Sequence, residues 1–171
     1  LSTIRTVQEL GVQVTRPRAG EVIVEGVGLR GLQAPRSVLD MGNAGTAMRL
    51  FMGLLCAQPF DSELAGDETL MRRPMERAAQ PLRAMGARIE TRDGKPPVRI
   101  AGGAALHGVR YAMPVASAQV KSATLLSGLY AGGQRAVAAL AVTRATPHRT
   151  VHGSRGAMRA REKGLFVEQH S

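Results

Sequence analysis

The chain repeats itself with a period of about 75 residues, and a period of that length implies successive copies of one supersecondary unit. TVQELGVQV (Thr6 to Val14) returns as PLRAMGARI (Pro81 to Ile89). Both read as a helix end, with Leu10 or Met85 followed by Gly11 or Gly86 as a left-handed cap. Both then alternate like strands, through Val12 and Val14 in one copy and Ala87 and Ile89 in the other. Polar turns follow, TRPRAGE (Thr15 to Glu21) and TRDGKPP (Thr91 to Pro97). Each copy returns as a second strand, Val22 to Gly26 and Val98 to Gly102, and runs on through Leu29-Arg30-Gly31 or Leu106-His107-Gly108. A further match aligns Gly42 to Leu55 with Ser117 to Leu129, each small and polar at the start and then apolar on nearly all sides, as in a buried helix. Four elements in the same order predict a repeated α/β unit. Leu1 to Ile4 reads as helix with no strand before it, so the opening of the first copy is expected to lie ahead of Leu1.

Such a unit needs a core, and 44% hydrophobic residues suffice for one. Five aromatics among 171 residues mean that the core is aliphatic, with eight Met contributing. The longest apolar run, Leu50 to Ala57, is far shorter than the ~20 residues that span a bilayer. One cysteine, Cys56, excludes a disulfide framework and a CxxC metal site, and it reads as core filling. No secretory leader is legible, so a cytoplasmic protein is expected.

The net charge of +10 points to anionic partners, but it is unevenly spread. Leu1 to Thr143 carries 17 basic and 11 acidic residues, whereas Arg144 to Ser171 carries six and two. That last stretch also holds three of the four histidines and has no apolar period before its end. Two segments are therefore expected: an α/β domain over residues 1–143, and a divergent basic tail over 144–171 that is disordered.

Three places carry residues suited to chemistry. Asp40 to Thr46 is a glycine-containing turn opening onto a helix, where backbone N–H groups meet an oxyanion closely. Its plain alternative is an ordinary helix cap. Arg49, on an otherwise apolar helix, weighs the other way, because a buried guanidinium needs an anion or a route to water. Gly66 to Met75 sets Arg72 and Arg73 just before a helix with Pro74 in its first turn, Pro81 as a kink, and an apolar stripe of Met75, Ala78, Ala79, Leu82 and Met85. Those arginines read either as an anion site or as solvated charges facing Asp67 and Glu68. Ser117, Gln119, Lys121 and Ser122 place hydroxyl, amide and ammonium donors at a third helix start, with simple capping by Ser117 as the alternative. His107 reads as a loop-surface residue. No metal-ligand pattern and no P-loop is legible.

GNAGTAMRL (Gly42 to Leu50), GDETLMRRPM (Gly66 to Met75), PLRAMGA (Pro81 to Ala87) and PVASAQVKSATLLSGL (Pro114 to Leu129) together resemble the EPSP synthases, the 3-phosphoshikimate 1-carboxyvinyltransferases. The resemblance covers roughly Leu1 to Thr143, less than half of that family's length. It implies an α/β fold of βαβαββ units, three to a domain, in an inside-out α/β barrel that is incomplete here. It also implies an enolpyruvyl transfer without cofactor or metal, by a complete enzyme that is monomeric and does not act on nucleic acid or at a membrane. The 5-hydroxyl of shikimate 3-phosphate adds to C2 of phosphoenolpyruvate, and phosphate then leaves.

By the same resemblance Gly45, Arg73 and Gln119 bind phosphoenolpyruvate, and Ser117, Ala118 and Gln119 bind shikimate 3-phosphate. Ala118 stands where many members carry a second serine, so its contact is expected through the backbone. Asn43 and Arg49 match positions that support the loop. No catalytic residue is expected in this chain: the family's front lysine-serine-arginine motif and the whole other domain, with its acid and base carboxylates, have no counterpart here. After Thr143 the family's TEP…SRDHTERML-like stretch is replaced by RATPHRTVHG, rich in the residues that GC-rich DNA gives in another frame, so a frameshift is expected there. Two rivals remain. UDP-N-acetylglucosamine enolpyruvyl transferase shares fold and reaction type but uses a loop cysteine, whereas Cys56 reads as helix interior. A basic nucleic-acid-binding module would need stacking aromatics and a basic stripe, and the sequence shows neither.

Overall fold

The computed structural model describes residues 2–109, 111–113, 117–131 and 139–140. Helix α1 (Ser2–Glu9) leads into the hairpin β1 (Gln13–Thr15) and β2 (Ile23–Glu25). Strand β3 (Leu39–Asp40), helix α2 (Gly45–Leu55), strand β4 (Ser62–Ala65), the short helix α3 (Glu68–Met71), helix α4 (Glu76–Ala84) and strands β5 (Arg88–Arg92) and β6 (Lys95–Ala101) follow. Strand β7 (Tyr111–Ala112), helix α5 (Ala118–Gly128) and strand β8 (Ala139–Leu140) come last. Residues 37–101 thus contain one full βαβαββ unit. Its sheet runs β3-β4-β6-β5, with β3 parallel to β4 and the other pairs antiparallel. The elements α1-β1-β2 repeat its second half, and β7-α5-β8, with β7 parallel to β8, repeats its first.

The expected helix ends form as glycine caps, Gly11 at φ 86° and Gly86 at φ 102°. The stripe Met75, Ala78, Ala79, Leu82 and Met85 is wholly buried, with Met48, Met52, Leu55, Cys56, Leu64, Val98 and Ile100. One sheet face is therefore apolar (Leu64, Val98, Ile100, Ile89) and packs on the helices. The other carries Glu63, Glu90 and Arg99 toward solvent, the period-2 alternation of a half-buried sheet. Helices inside and sheet outside are the layering that the inside-out expectation requires.

Two local expectations are corrected. The turn of the second hairpin is not TRDGKPP but only Asp93-Gly94, both at positive φ (50° and 75°), since Thr91 and Arg92 still belong to β5 and β6 starts at Lys95. Asp-Gly is the favoured two-residue hairpin pair for this reason. Pro74 is not in the first turn of α4. The helix starts after Met75, because the Gly94 carbonyl already accepts from the amides of Met75 (2.7 Å) and Glu76 (3.2 Å). Between β4 and α4 the chain also forms the short α3, capped by Asp67, whose Oδ1 accepts from Leu70 N at 2.8 Å.

Helices α2 and α5 lie against each other, and Gly53 sets their approach. A Cβ there would stand 2.1 Å from the carbonyl oxygen of Ala123. Gly53→Ala is expected to cost about 1–3 kcal/mol by overpacking. Gly26→Ala, where nothing lies within 4 Å, should stay within about 0.5 kcal/mol. Paired thermal melts check this, and equal melting temperatures would refute the close helix contact.

Candidate functional site

Because α2 and α5 are repeat equivalents packed side by side, their N-terminal turns stand together. That juxtaposition gathers residues from three separate motifs. Gly45 opens α2 and is buried; its Cβ, were there one, would meet Arg73 Nη1 at 3.0 Å and Arg49 Nη1 at 3.4 Å. Two guanidinium groups therefore flank one glycine at a helix N-terminus. The lack of a side chain leaves the backbone open to both.

Arg49 is a three-way strut. Its Nη1 donates to the Gly45 carbonyl (3.1 Å) and to Gln119 Oε1 (2.9 Å), and its Nη2 donates to the Pro74 carbonyl (2.9 Å). It thus ties α2, the start of α5 and the segment carrying Arg73. All three acceptors are neutral. Burial first, then the charges of Arg73 and Arg77, pull its pKa below the ordinary arginine value. Arg73 donates through Nη2 to Asn43 Oδ1 at 2.7 Å, which supports the reading of Asn43 as a prop for the loop. Among the described residues neither Arg49 nor Arg73 forms an ion pair, so positive charge accumulates here without a carboxylate against it. A bound anion would remove that repulsion.

Gln119 is fixed at both ends of its amide, since its Nε2 donates to Thr46 Oγ1 at 2.9 Å while Arg49 holds the oxygen. Ser117 caps α5, its Oγ accepting from Val120 N at 3.4 Å, so the capping alternative holds for this residue in the free chain. Ala118 is exposed in the first turn of α5. The two arginines part company. Arg72 points to water and pairs with Glu68, the solvated-charge alternative, whereas Arg73 joins the cluster. Sequence reasoning did not single out Thr46, the Pro74 carbonyl or Arg77. The first could have been found, because it follows Gly45 in the turn that the repeat sets beside Gln119.

Other polar places behave differently. A groove of about 820 Å³ lies over the strands, lined among others by Arg36, Glu63, Glu90 and Arg99. Its charges alternate in sign and Arg99 already pairs with Glu63, so it does not concentrate positive potential. Cys56 is buried at the end of α2, where burial pushes its thiol up to about 12. It packs in the core (its Sγ donates to the Gly53 carbonyl), far from the role of a loop acid. His107 is exposed in its loop as expected. Among the described residues no helix is long and apolar enough to cross a membrane.

A family model described as EPSP synthase (3-phosphoshikimate 1-carboxyvinyltransferase) matches residues 1–150. A 3-phosphoshikimate 1-carboxyvinyltransferase of Legionella pneumophila (strain Corby) is 51% identical over 144 residues, 84% of this chain and 33% of the relative. That of Xanthomonas oryzae pv. oryzae is 58% identical over 137 residues, 80% of this chain and 31% of its own. The solved EPSP synthase of Acinetobacter baumannii superimposes with a TM-score of 0.79 at 48% identity, over 87% of this chain and 33% of that one. The chain spans about a third of the length of the relatives it matches. It belongs to the EPSP synthase family.

Proposed function

We propose that this chain supplies one wall of a site that transfers the enolpyruvyl group of phosphoenolpyruvate to the 5-hydroxyl of shikimate 3-phosphate. The hydroxyl oxygen bonds to C2 of phosphoenolpyruvate while a proton reaches the methylene carbon. The C2–O bond to phosphate then breaks, a methyl proton is lost, and phosphate departs. Both substrates carry several negative charges, so fixed cations and oriented donors stabilise bound substrate and transition state alike. One observation carries the proposal: the guanidinium groups of Arg49 and Arg73 flank Gly45, and their hydrogen-bond acceptors among the described residues are all neutral.

Within that reading, Arg73 and the backbone at Gly45 hold an anionic group of phosphoenolpyruvate. Gln119 sits between the two substrates. Ser117 and the Ala118 backbone, at the N-terminus of α5, take shikimate 3-phosphate. Asn43 and Arg49 hold these groups in place. The cluster of Asn43, Gly45, Thr46, Arg49, Arg73, Ser117 and Gln119 contains no carboxylate or imidazole. It binds and orients; the proton transfers fall to groups outside it. We read the complete enzyme as a cytoplasmic monomer acting on small molecules rather than nucleic acid, and residues 144–171, which lie outside the described residues, as no part of the catalytic unit.

Titration of the chain with phosphoenolpyruvate, followed by amide NMR, tests the binding half of this reading. Shifts are expected at Gly45, Arg73 and Gln119, with millimolar affinity, because each missing charged contact costs about 1.5–3 kcal/mol. Arg73→Ala should abolish them. Shifts confined to Arg72, or unchanged in Arg73→Ala, would refute the assignment.

A further inference from the structure

Two loops meet at the candidate site, and both ends of their contact trace to one residue. The loop after β3 carries Asn43 and Gly45, and the segment after β4 carries Arg73. At the near end the Asp67 amide donates to the Gly42 carbonyl at 2.9 Å. Gly66 lies flush against the same carbonyl, since a Cβ on it would stand 2.5 Å from the Gly42 oxygen. At the far end Arg73 Nη2 donates to Asn43 Oδ1 at 2.7 Å.

Between the two ends stands α3, only four residues long. A helix so short does not hold itself, because its first turn fixes several residues for one hydrogen bond. Asp67 supplies what it lacks. Its Oδ1 accepts from Leu70 N at 2.8 Å and its carbonyl from Met71 N at 2.9 Å. Leu70 is fully buried, and its carbonyl accepts from the Arg73 amide at 2.9 Å. The bonds therefore run from Gly42 through Asp67 and Leu70 to the backbone of Arg73. Asp67 itself is exposed, and among the described residues it forms no ion pair.

We propose that Asp67 is a positioning residue for Arg73, acting as the cap of α3 and not through its charge. Without the cap, α3 unwinds part of the time and Arg73 leaves Asn43. An anion then binds only the ordered fraction, and its apparent affinity falls by that fraction. The inference rests on the reading of Arg73 as a phosphoenolpyruvate ligand.

The test titrates the full chain and its Asp67→Ala, Asp67→Asn and Asp67→Glu variants with phosphoenolpyruvate by NMR, each well below its melting temperature. Asparagine keeps an acceptor at the same reach without the charge, whereas glutamate keeps the charge at the wrong reach. Asp67→Ala should weaken binding about three- to thirtyfold, the range that a lost cap spans. It should also move the Asn43 side-chain amide signals in the free chain. Asp67→Glu should do the same, and Asp67→Asn should bind as the unaltered chain does. Unchanged affinity and unmoved Asn43 signals in the alanine and glutamate variants would overturn the proposal. So would an asparagine variant as weak as alanine, which would make the charge the active feature. Failure of the Arg73 reading shows separately, as shifts that survive Arg73→Ala; the Asn43 signals of the free chain then still decide whether Asp67 places Arg73.

Discussion

Enolpyruvyl transfer should be undetectable with the 171-residue chain alone and should appear once the chain is joined to the remainder of a family enzyme. The reason lies in the composition of the cluster. Gly45, Arg73, Ser117 and Gln119 offer backbone N–H, guanidinium, hydroxyl and amide groups, and none of these is a carboxylate or an imidazole. Protonating the methylene carbon and deprotonating the attacking hydroxyl need titratable groups, worth about 10²–10⁴-fold in rate. Holding two substrates in a closed site adds up to ~7–11 kcal/mol more. A wall that binds without closing supplies neither. Phosphate release with both substrates is the assay. The joined protein should turn over, and Arg73→Ala within it should lose most of that turnover. Phosphate release by the isolated chain would contradict the division between binding and proton transfer.

The parts of the fold legible in the sequence were those with local causes. The glycine caps at Gly11 and Gly86 and the buried stripe from Met75 to Met85 follow from a single glycine and a 3.6-residue period. Strands β3 and β4 are two and four residues long, too short to show alternation, and exist because β6 and the helices hold them. The short helix α3 hangs on one aspartate cap. The Asp93-Gly94 turn was legible in principle, but the proline pair behind it drew the boundary too wide.

The site was legible residue by residue but not as an arrangement. Glycine at a helix start, arginine on an apolar helix and donors at a second helix start each pointed to anions on their own chemistry. Their meeting depends on α2 crossing α5 at Gly53, which no local pattern encodes. The repeat does encode it in part, since equivalent helices in stacked units pack side by side. The choice between Arg72 and Arg73 was the least accessible to sequence. Both are adjacent arginines, and only the geometry sends one to Glu68 and the other to Asn43.

Arg49→Met in the joined enzyme should lower kcat/KM by about 10²–10³-fold, although the expected site places Arg49 against no substrate. Its three bonds run to Gly45, Gln119 and Pro74, so one substitution frees the Gln119 amide oxygen and the segment that presents Arg73. It also withdraws one of the charges that prepare the cluster for an anion. A lost charged hydrogen bond costs about 1.5–3 kcal/mol, and 1.4 kcal/mol is a factor of ten. One to two such losses, felt at the ligand, give the stated range. A residue that merely packed would lower stability and leave the kinetic constants of the folded fraction alone. Arg49 should instead raise the KM for phosphoenolpyruvate and lower kcat together, since positioning of Arg73 and Gln119 enters both. Arg49→Lys separates the two contributions. Lysine restores the charge but cannot span three acceptors as the planar guanidinium does, so KM should recover more than kcat. Full recovery of both by lysine would show that charge alone matters. Unchanged kinetics in Arg49→Met, with a normal melting temperature, would remove Arg49 from the site.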